Sequence, residues 1–154
     1  MSPAFHLEPV GDADFEGLLA IRIEAMRPSL ERLGRFDPER ARERLCQGFE
    51  PTRMRAIVVA GERVGFLTVA PEAEALRLVH FYLRPAVQGR GLGAAVLAGV
   101  IAEAEAQHRV LVVTALRDSD ANRFYRRQGF EPDGEAGWDI HYRRMPRATS
   151  VEAP

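Results

Sequence analysis

The chain has 154 residues, 46% of them hydrophobic and 28% charged, with a formal net charge of -1; that size and balance suit one folded domain with one core. Near-neutral charge excludes a nucleic-acid partner recruited by bulk electrostatics, and no apolar run reaches the roughly 20 residues that a membrane span needs. All 21 basic residues are arginine, so Schiff-base chemistry and pyridoxal anchoring, which need a lysine, are excluded as well. The single cysteine, Cys46, permits no intrachain disulfide and is expected to be a buried or inert thiol. Neither H-E-x-x-H nor C-x-x-C occurs, so no metal site is expected. No basic region followed by an apolar stretch opens the chain, and the expected compartment is cytoplasmic.

Ala4 to Val10 reads as a short strand, and Asp12 as the N-cap of a helix. Phe15, Leu18, Leu19, Ile23 and Met26 recur at helical spacing, which buries one face; Pro28 is expected to end or bend this helix. Residues 29–36 read as a mixed linker. Asp37-Pro38-Glu39 opens a second helix, with proline at its first position, and Gly48 stops it after about Gln47. Met54 to Ala60 and Arg63 to Ala70 form a hairpin around Gly61-Glu62, and Pro71 to Glu74 turns the chain into the next strand. A helix follows to about His108; it is apolar nearly all round and so expected to be well buried. Val110 to Leu116 is a continuous apolar run, as in a central strand covered on both faces. Ala121 to Gln128 is a short helix that Gly129 closes, with Phe130 folding back on Phe124 or Tyr125. Phe130 to Glu135 and Trp138 to Met145 make a final hairpin, and residues 147–154 a frayed tail. The order β-α-α-β-β-β-α-β-α-β-β, with no repeat or internal boundary, predicts an α/β fold in one domain over residues 1–146: a mixed central sheet with helices on both faces.

The stretch from Ala75 to Ala106 organises the rest. An apolar strand, Leu76 to Leu83, stops at Arg84-Pro85, because proline cannot donate to a ladder and biases the residue before it toward an extended conformation. Gln88-Gly89-Arg90-Gly91-Leu92-Gly93 follows and opens the long helix. Glycines let a ligand approach the backbone, and the first amides of a helix have no intrahelical partner, so strand, turn and helix start together form an anion cradle. The G-x-G-x-x-G dinucleotide fingerprint fails: its third glycine falls on Ala94 or on Val96. The P-loop needs a lysine, which the chain lacks. A tight turn that merely packs a helix on a sheet is the plainer alternative.

What remains, Gln88-x-x-Gly91-x-Gly93, resembles the pyrophosphate-binding Q/R-x-x-G-x-G/A signature of the GNAT N-acetyltransferases, which bind acetyl-CoA. Downstream, Asp118-Ser119-Asp120-Ala121-Asn122-Arg123-Phe124-Tyr125-Arg126-Arg127-Gln128-Gly129-Phe130 resembles that family's N-x-x-A-x-x-F-Y-x-x-x-G-F. The order of elements from roughly Phe5 to Met145 matches the family's fold. One departure stands out: Asp118 occupies the asparagine position, and Asn122 follows one helical turn later, so either could meet the pantetheine arm.

The resemblance implies a role for each matching position. The amides of Gln88, Gly89, Arg90, Gly91, Leu92, Gly93 and Ala94 would hold the pyrophosphate. The strand backbone at Phe81, Tyr82 and Leu83 would meet the pantetheine arm and the acetyl carbonyl, where an amide also stabilises a developing oxyanion. Tyr125 would protonate the departing thiolate; its bland alternative is a core aromatic with a wet tip. His80 shares a strand face with Tyr82 and stands near the acceptor, either as general base or as a structural or substrate-contacting histidine; His141 is a weaker candidate. Glu24, Arg27 and Glu31, on the first helix and the linker after it, could hold an ammonium or an anionic group of the acceptor, or simply form a solvated helix face. The implied activity is direct acetyl transfer from acetyl-CoA to an amine, by a monomer or homodimer without metal. A non-catalytic acyl-CoA-binding module on the same fold is the alternative.

Overall fold

Residues 4–147 are described by a computed structural model. The elements are β1 (His6–Pro9), α1 (Phe15–Arg32), α2 (Pro38–Gln47), β2 (Met54–Val59), β3 (Glu62–Glu72), β4 (Ala75–Leu83), α3 (Leu92–Ala106), β5 (Val110–Leu116), α4 (Ala121–Arg127), β6 (Glu131–Ala136) and β7 (Asp139–Arg144). This is the order expected from the sequence. The strands form one mixed seven-stranded sheet, β1-β2-β3-β4-β5-β7-β6. The chain packs as two compact units, residues 4–68 with 80–95 and residues 69–79 with 96–147.

In the first unit β1, β2 and β3 form an antiparallel ladder, from His6↔Val58 to Pro9↔Arg55 and from Met54↔Thr68 to Val59↔Glu62. The turn between β2 and β3 is Ala60-Gly61, one residue earlier than expected. Both residues have positive φ, 51° and 81°, as a two-residue hairpin turn requires. Leu18, Leu19 and Ile21 of α1, with Ala41 and Leu45 of α2, bury against Met54, Ala56 and Phe66. A bidentate pair, Arg42 to Glu16 at 2.8 Å on both arms, ties α2 to α1. The expected cap of α2 is present: the Asp37 carboxylate accepts from the amides of Glu39 and Arg40.

The ends of α1 differ from expectation. A single turn of 3-10 helix, Asp12–Asp14, precedes it, and the carboxylate reaching back is that of Asp14, which accepts from the Gly11 amide at 2.8 Å. Asp12 is therefore not the cap. Pro28 lies inside α1, which runs on to Arg32, so four of the expected linker residues are helical. Proline removes one amide donor, and that loss does not stop the helix. The stop is Gly34, at φ 67°: Gly34 donates to the Glu31 carbonyl at 3.0 Å and Arg35 to the Leu30 carbonyl at 2.8 Å. This is the Schellman closure, which satisfies the last orphan carbonyls.

In the second unit β5 is the centre. It runs parallel to β4, Ala75↔Val110 to Leu78↔Val113, and antiparallel to β7, Leu111↔Arg144 to Leu116↔Asp139. Its residues alternate buried and half-buried, less evenly covered than its apolar run suggests. Along α3, Val96, Leu97, Val100 and Ala104 are buried, whereas Ala98, Gly99 and Ala102 face solvent; the expected all-round burial is one-sided, because small residues cost little when exposed. α3 and α4 end on the same device as α1. His108 and Gly129 take positive φ, 53° and 90°, and the residue after each donates back five positions, Arg109 to Ala104 and Phe130 to Tyr125. Phe130 folds onto Tyr125, ring centroids 5.4 Å apart. Arg144 of β7 braces this unit, bonding the Gln128 carbonyl at 3.1 Å and Glu105 of α3 at 2.8 Å. Of the expected frayed tail only Arg147 is among the described residues, and its amide donates to Glu105 at 2.6 Å. Cys46 is exposed rather than buried.

Gly65 in β3 has no room for a side chain: a Cβ there would lie 2.4 Å from the Tyr82 carbonyl oxygen and 2.7 Å from Leu83 Cδ2. Gly65→Ala is expected to lower the unfolding free energy by about 1–3 kcal/mol. Gly17→Ala in α1, where nothing lies within 4 Å of the added methyl, should be neutral or stabilise by up to about 1 kcal/mol. Urea titration of the two variants side by side checks the contrast.

Candidate functional site

The cradle lies wholly within the first unit. Arg84 is extended, at φ -57° and ψ 141°, as a residue before proline should be, and a 3-10 turn over Pro85–Val87 follows. Gly89 and Gly91 then adopt φ 78° and 82°, a region closed to most side chains. The Gly91 carbonyl accepts from Ala95 at 3.0 Å, so α3 starts on Leu92, and the amides of Leu92, Gly93 and Ala94 are its orphan donors.

Two side chains hold the cradle in shape. Gln88 turns back, its Nε2 donating to the Leu83 carbonyl at 2.9 Å, which bridges the 3-10 turn. Arg84 donates its amide to the Val64 carbonyl at 2.8 Å and its Nε to the Arg63 carbonyl at 3.2 Å, and forms an ion pair with Glu24 of α1. Glu24 is thus engaged with the base of the cradle. Arg90 projects into solvent beside the helix start. Arg27 and Glu31 pair with each other at 3.0 Å, both more than half exposed, and the Arg27 guanidinium covers the Phe36 ring at 4.5 Å. A cavity of about 260 Å³, lined by Asp14, Gly17, Leu18, Ile21, Arg63 and Arg84, opens beside α1.

Behind the end of β4 lies a polar cluster in an otherwise apolar interior. His80 and Tyr82 point to the face that also carries Phe66, with centroid distances of 6.0 Å and 5.5 Å from Phe66. His80 is 8% exposed, and neither ring nitrogen has a protein partner. Burial, with the nearby Arg22 guanidinium as the second cause, lowers its pKa to about 4. Arg22, on α1, is 5% exposed and lies over the Tyr82 ring at 5.5 Å. Its one hydrogen bond is to the Ala41 carbonyl at 3.3 Å, and its Nε is unpartnered. The sequence reading passed over Arg22. The signal was present: it interrupts the apolar stripe of α1 three residues after Leu19 and one before Ile23.

The remaining candidates fall in the second unit. Asp118 takes φ 66°, a left-handed conformation that asparagine and aspartate tolerate best among residues other than glycine; this backbone requirement explains how an aspartate can stand where the resembling motif has asparagine. Asn122 has both ends of its amide engaged: Nδ2 donates to the Leu116 and Ser119 carbonyls at 2.9 Å each, and Oδ1 accepts from the Tyr142 hydroxyl at 2.7 Å. Tyr125 is 5% exposed, its ring edge-on to Phe124 and Phe130 at 5.3 Å and 5.4 Å. His141 Nδ1 lies 3.0 Å from Thr114 Oγ1 on the neighbouring strand. A cavity of about 690 Å³ opens beside the start of α4, with Asp118, Asn122, Arg123, Arg126 and Tyr142 among its walls. Among the described residues no group of three or more His, Cys, Asp or Glu side chains is arranged for a metal ion, and no helix is long and apolar enough to cross a membrane.

Comparison with known proteins bears on this arrangement. The family model described as an acetyltransferase (GNAT) domain matches residues 53–132, which include β2 to β5, the whole cradle and α4. An acetyltransferase from Thermus thermophilus superimposes with a TM-score of 0.72 at 26% identity, over 94% of this chain and 99% of that one. The PaiA N-acetyltransferase from Thermoplasma acidophilum, solved in complex with coenzyme A, superimposes with a TM-score of 0.71 at 13% identity, over 92% and 99%. No curated protein sequence matches this one. With more than half of its length under the family model, and with the cradle and the α4 segment inside the match, the chain belongs to the GNAT acetyltransferases.

Proposed function

We propose that the protein is an acetyl-CoA-dependent N-acetyltransferase that moves the acetyl group directly to the amine of a small molecule or peptide. One observation carries the reading: glycines with positive φ bare the first amides of α3, in a loop that Gln88 and Arg84 brace from behind. Such a helix start suits a diphosphate, whose charge the helix dipole and the adjacent Arg90 both favour. The coenzyme bound to the Thermoplasma relative supports the same ligand class.

Acetyl-CoA brings an acetyl group already activated as a thioester. The chain's residues then have three tasks. The amides of Leu92, Gly93 and Ala94 anchor the diphosphate, and the backbone at Phe81, Tyr82 and Leu83 orients the arm and its carbonyl. The Tyr125 hydroxyl gives its proton to the departing sulfur. Asn122, with its amide spent on Leu116, Ser119 and Tyr142, acts by fixing the start of α4, and Asp118 takes the motif position that meets the pantetheine arm. With a pKa near 4, His80 is neutral at working pH but a weak base, so its part is to line the acceptor side while water takes the amine's proton. No activated nucleophile is invoked to carry a covalent intermediate.

Three outcomes are expected. Acetyl-CoA at a hundred times its Kd stabilises the protein by about 2.7 kcal/mol, a rise in Tm of about 5–10 °C. NAD gives none, and Gly91→Val, which forces a β-branched residue to positive φ, loses most of the rise; an equal response to acetyl-CoA and NAD would sink the coenzyme assignment. Tyr125→Phe keeps the acetyl-CoA shift but loses about 100-fold in kcat, whereas unchanged turnover removes Tyr125 as the acid. For His80 the folded state binds fewer protons than the unfolded chain between pH 4 and 6.5. Its contribution is therefore complete above pH 6.5 and falls away as pH drops toward 4, on the order of 3 kcal/mol across the window. Denaturation from pH 7 to 4.5 should show that loss in the wild type and a flatter profile in His80→Leu.

A further inference from the structure

Arg22 is the feature of this molecule that its own fold leaves unexplained. A guanidinium is always charged and carries five donors. Taking such a charge out of water is costly unless a carboxylate or several acceptors replace the water. Arg22 is 5% exposed, and it has one carbonyl contact, at 3.3 Å, and an aromatic face. Among the described residues it has no carboxylate partner, whereas Arg27, Arg42, Arg63, Arg77, Arg84, Arg117 and Arg144 each do.

Its surroundings repeat the pattern. Among the described residues the other buried polar side chains are Thr68 and His80, and there the Thr68 hydroxyl and both His80 nitrogens are unpartnered too. Thr68 shares a strand face with Phe66, as His80 does with Tyr82, and the rings of Phe66, His80 and Tyr82 lie against one another. The unmet groups are mostly donors: the Arg22 Nε–H, the Thr68 hydroxyl and the one N–H of a neutral imidazole. The charge is a single positive one. Tyr82, beneath the guanidinium, is only half-buried, so the cluster lies under a side chain that reaches solvent.

We propose that Arg22, with Thr68 and His80, receives the carboxylate of the acceptor, so that the acceptor is an amino acid or another small amine that also bears a carboxylate. This rests on the acetyl-transfer reading and narrows it. A carboxylate brings one negative charge and lone pairs enough for all three donors. An ammonium group would be repelled by Arg22, and a dianion would leave excess charge in a buried site. The acceptor's amine then points away from Arg22, toward the end of β4 where the backbone at Phe81, Tyr82 and Leu83 orients the acetyl group.

The test pairs each of the twenty amino acids with its carboxamide and adds putrescine and spermidine. Acetyl-CoA consumption and Tm are both read, on wild type and on Arg22→Met. In the wild type at least one acid should exceed its amide by 100-fold or more in kcat/KM and raise Tm where the amide does not, while the polyamines stay inert. Arg22→Met should erase that preference, and without ligand it should melt at the same temperature as the wild type or higher, since a buried unpaired charge has been replaced by a side chain of similar length. Equal or better use of amides or polyamines overturns the inference. So does a variant that keeps the acid preference, a ligand-free variant that melts several degrees lower, or a wild type that responds to none of the twenty acids. A preserved acetyl-CoA shift in the same experiment would leave the transferase reading standing on its own; its loss would remove both.

Discussion

A backbone contact decides where β4 ends and the cradle begins. The Arg84 amide donates to the Val64 carbonyl at 2.8 Å, one residue from Gly65, whose missing side chain lets the Tyr82 carbonyl come to within 2.4 Å of where a Cβ would sit. Strands are ordinarily held apart by their pleat and side chains; here a glycine removes that spacing at the last turn of the ladder. Proline follows at once, so the chain cannot continue as strand, and its direction into the 3-10 turn is set. The candidate residues at the end of β4 and in the turn after it are placed from that point. Phe81, Tyr82 and Leu83 are fixed behind it, and Gln88, Gly89 and Gly91 are aimed by what comes after it.

Arginine carries much of the bracing elsewhere. Its fork reaches backbone carbonyls that regular structure leaves unused: Arg63 to Pro9, Arg84 to Arg63, Arg109 to Ala75, Arg117 to Gly137 and Arg144 to Gln128. Several of these guanidiniums also hold a carboxylate with another arm, as Arg144 does with Glu105 and Arg84 with Glu24. A lysine could make one such contact well but not two in fixed geometry. The exposed pairs contribute little individually, since water and salt screen them. Their value is positional: they join element ends that the hydrophobic core does not reach. Arg22 differs in its burial: its fork is turned inward onto the Ala41 carbonyl, and among the described residues no carboxylate pairs with it.

How much of this could be read from the chain depends on whether the cause was local. The start of α2 was legible because Asp37-Pro38 satisfies and excludes amides within four residues. The stop of α4 was legible because Gly129 is the residue that a left-handed closure favours. The end of α1 misled because two local signals conflicted: Pro28 costs one hydrogen bond, whereas Gly34 supplies the closure. At His108 the same closure occurs without a glycine, and nothing nearby announces it. The turn before α3 was legible for the same local reason, since Gly89 and Gly91 supply its positive φ values. The polar cluster was not, because Arg22, Thr68 and His80 come from three elements, and their isolation from partners is a property of packing, not of any short stretch.

Tyr125 shows where local logic stops and chemistry begins. It stands three residues inside the end of α4, the position whose side chain meets the residue just beyond a Schellman closure, and its ring does meet Phe130. Phe124 and Tyr142 complete the aromatic wall. Tyr142 in turn is fixed by its hydroxyl on Asn122, whose amide holds the carbonyls of Leu116 and Ser119. A ring at position 125 is therefore what the end of α4 requires, and phenylalanine would serve that purpose equally. Ring contacts on three sides favour the proton-donor role proposed for Tyr125, since a group that wanders loses most of the advantage of being close. The aromatic frame belongs to folding, and the hydroxyl it carries is the atom that the proposed transfer would use.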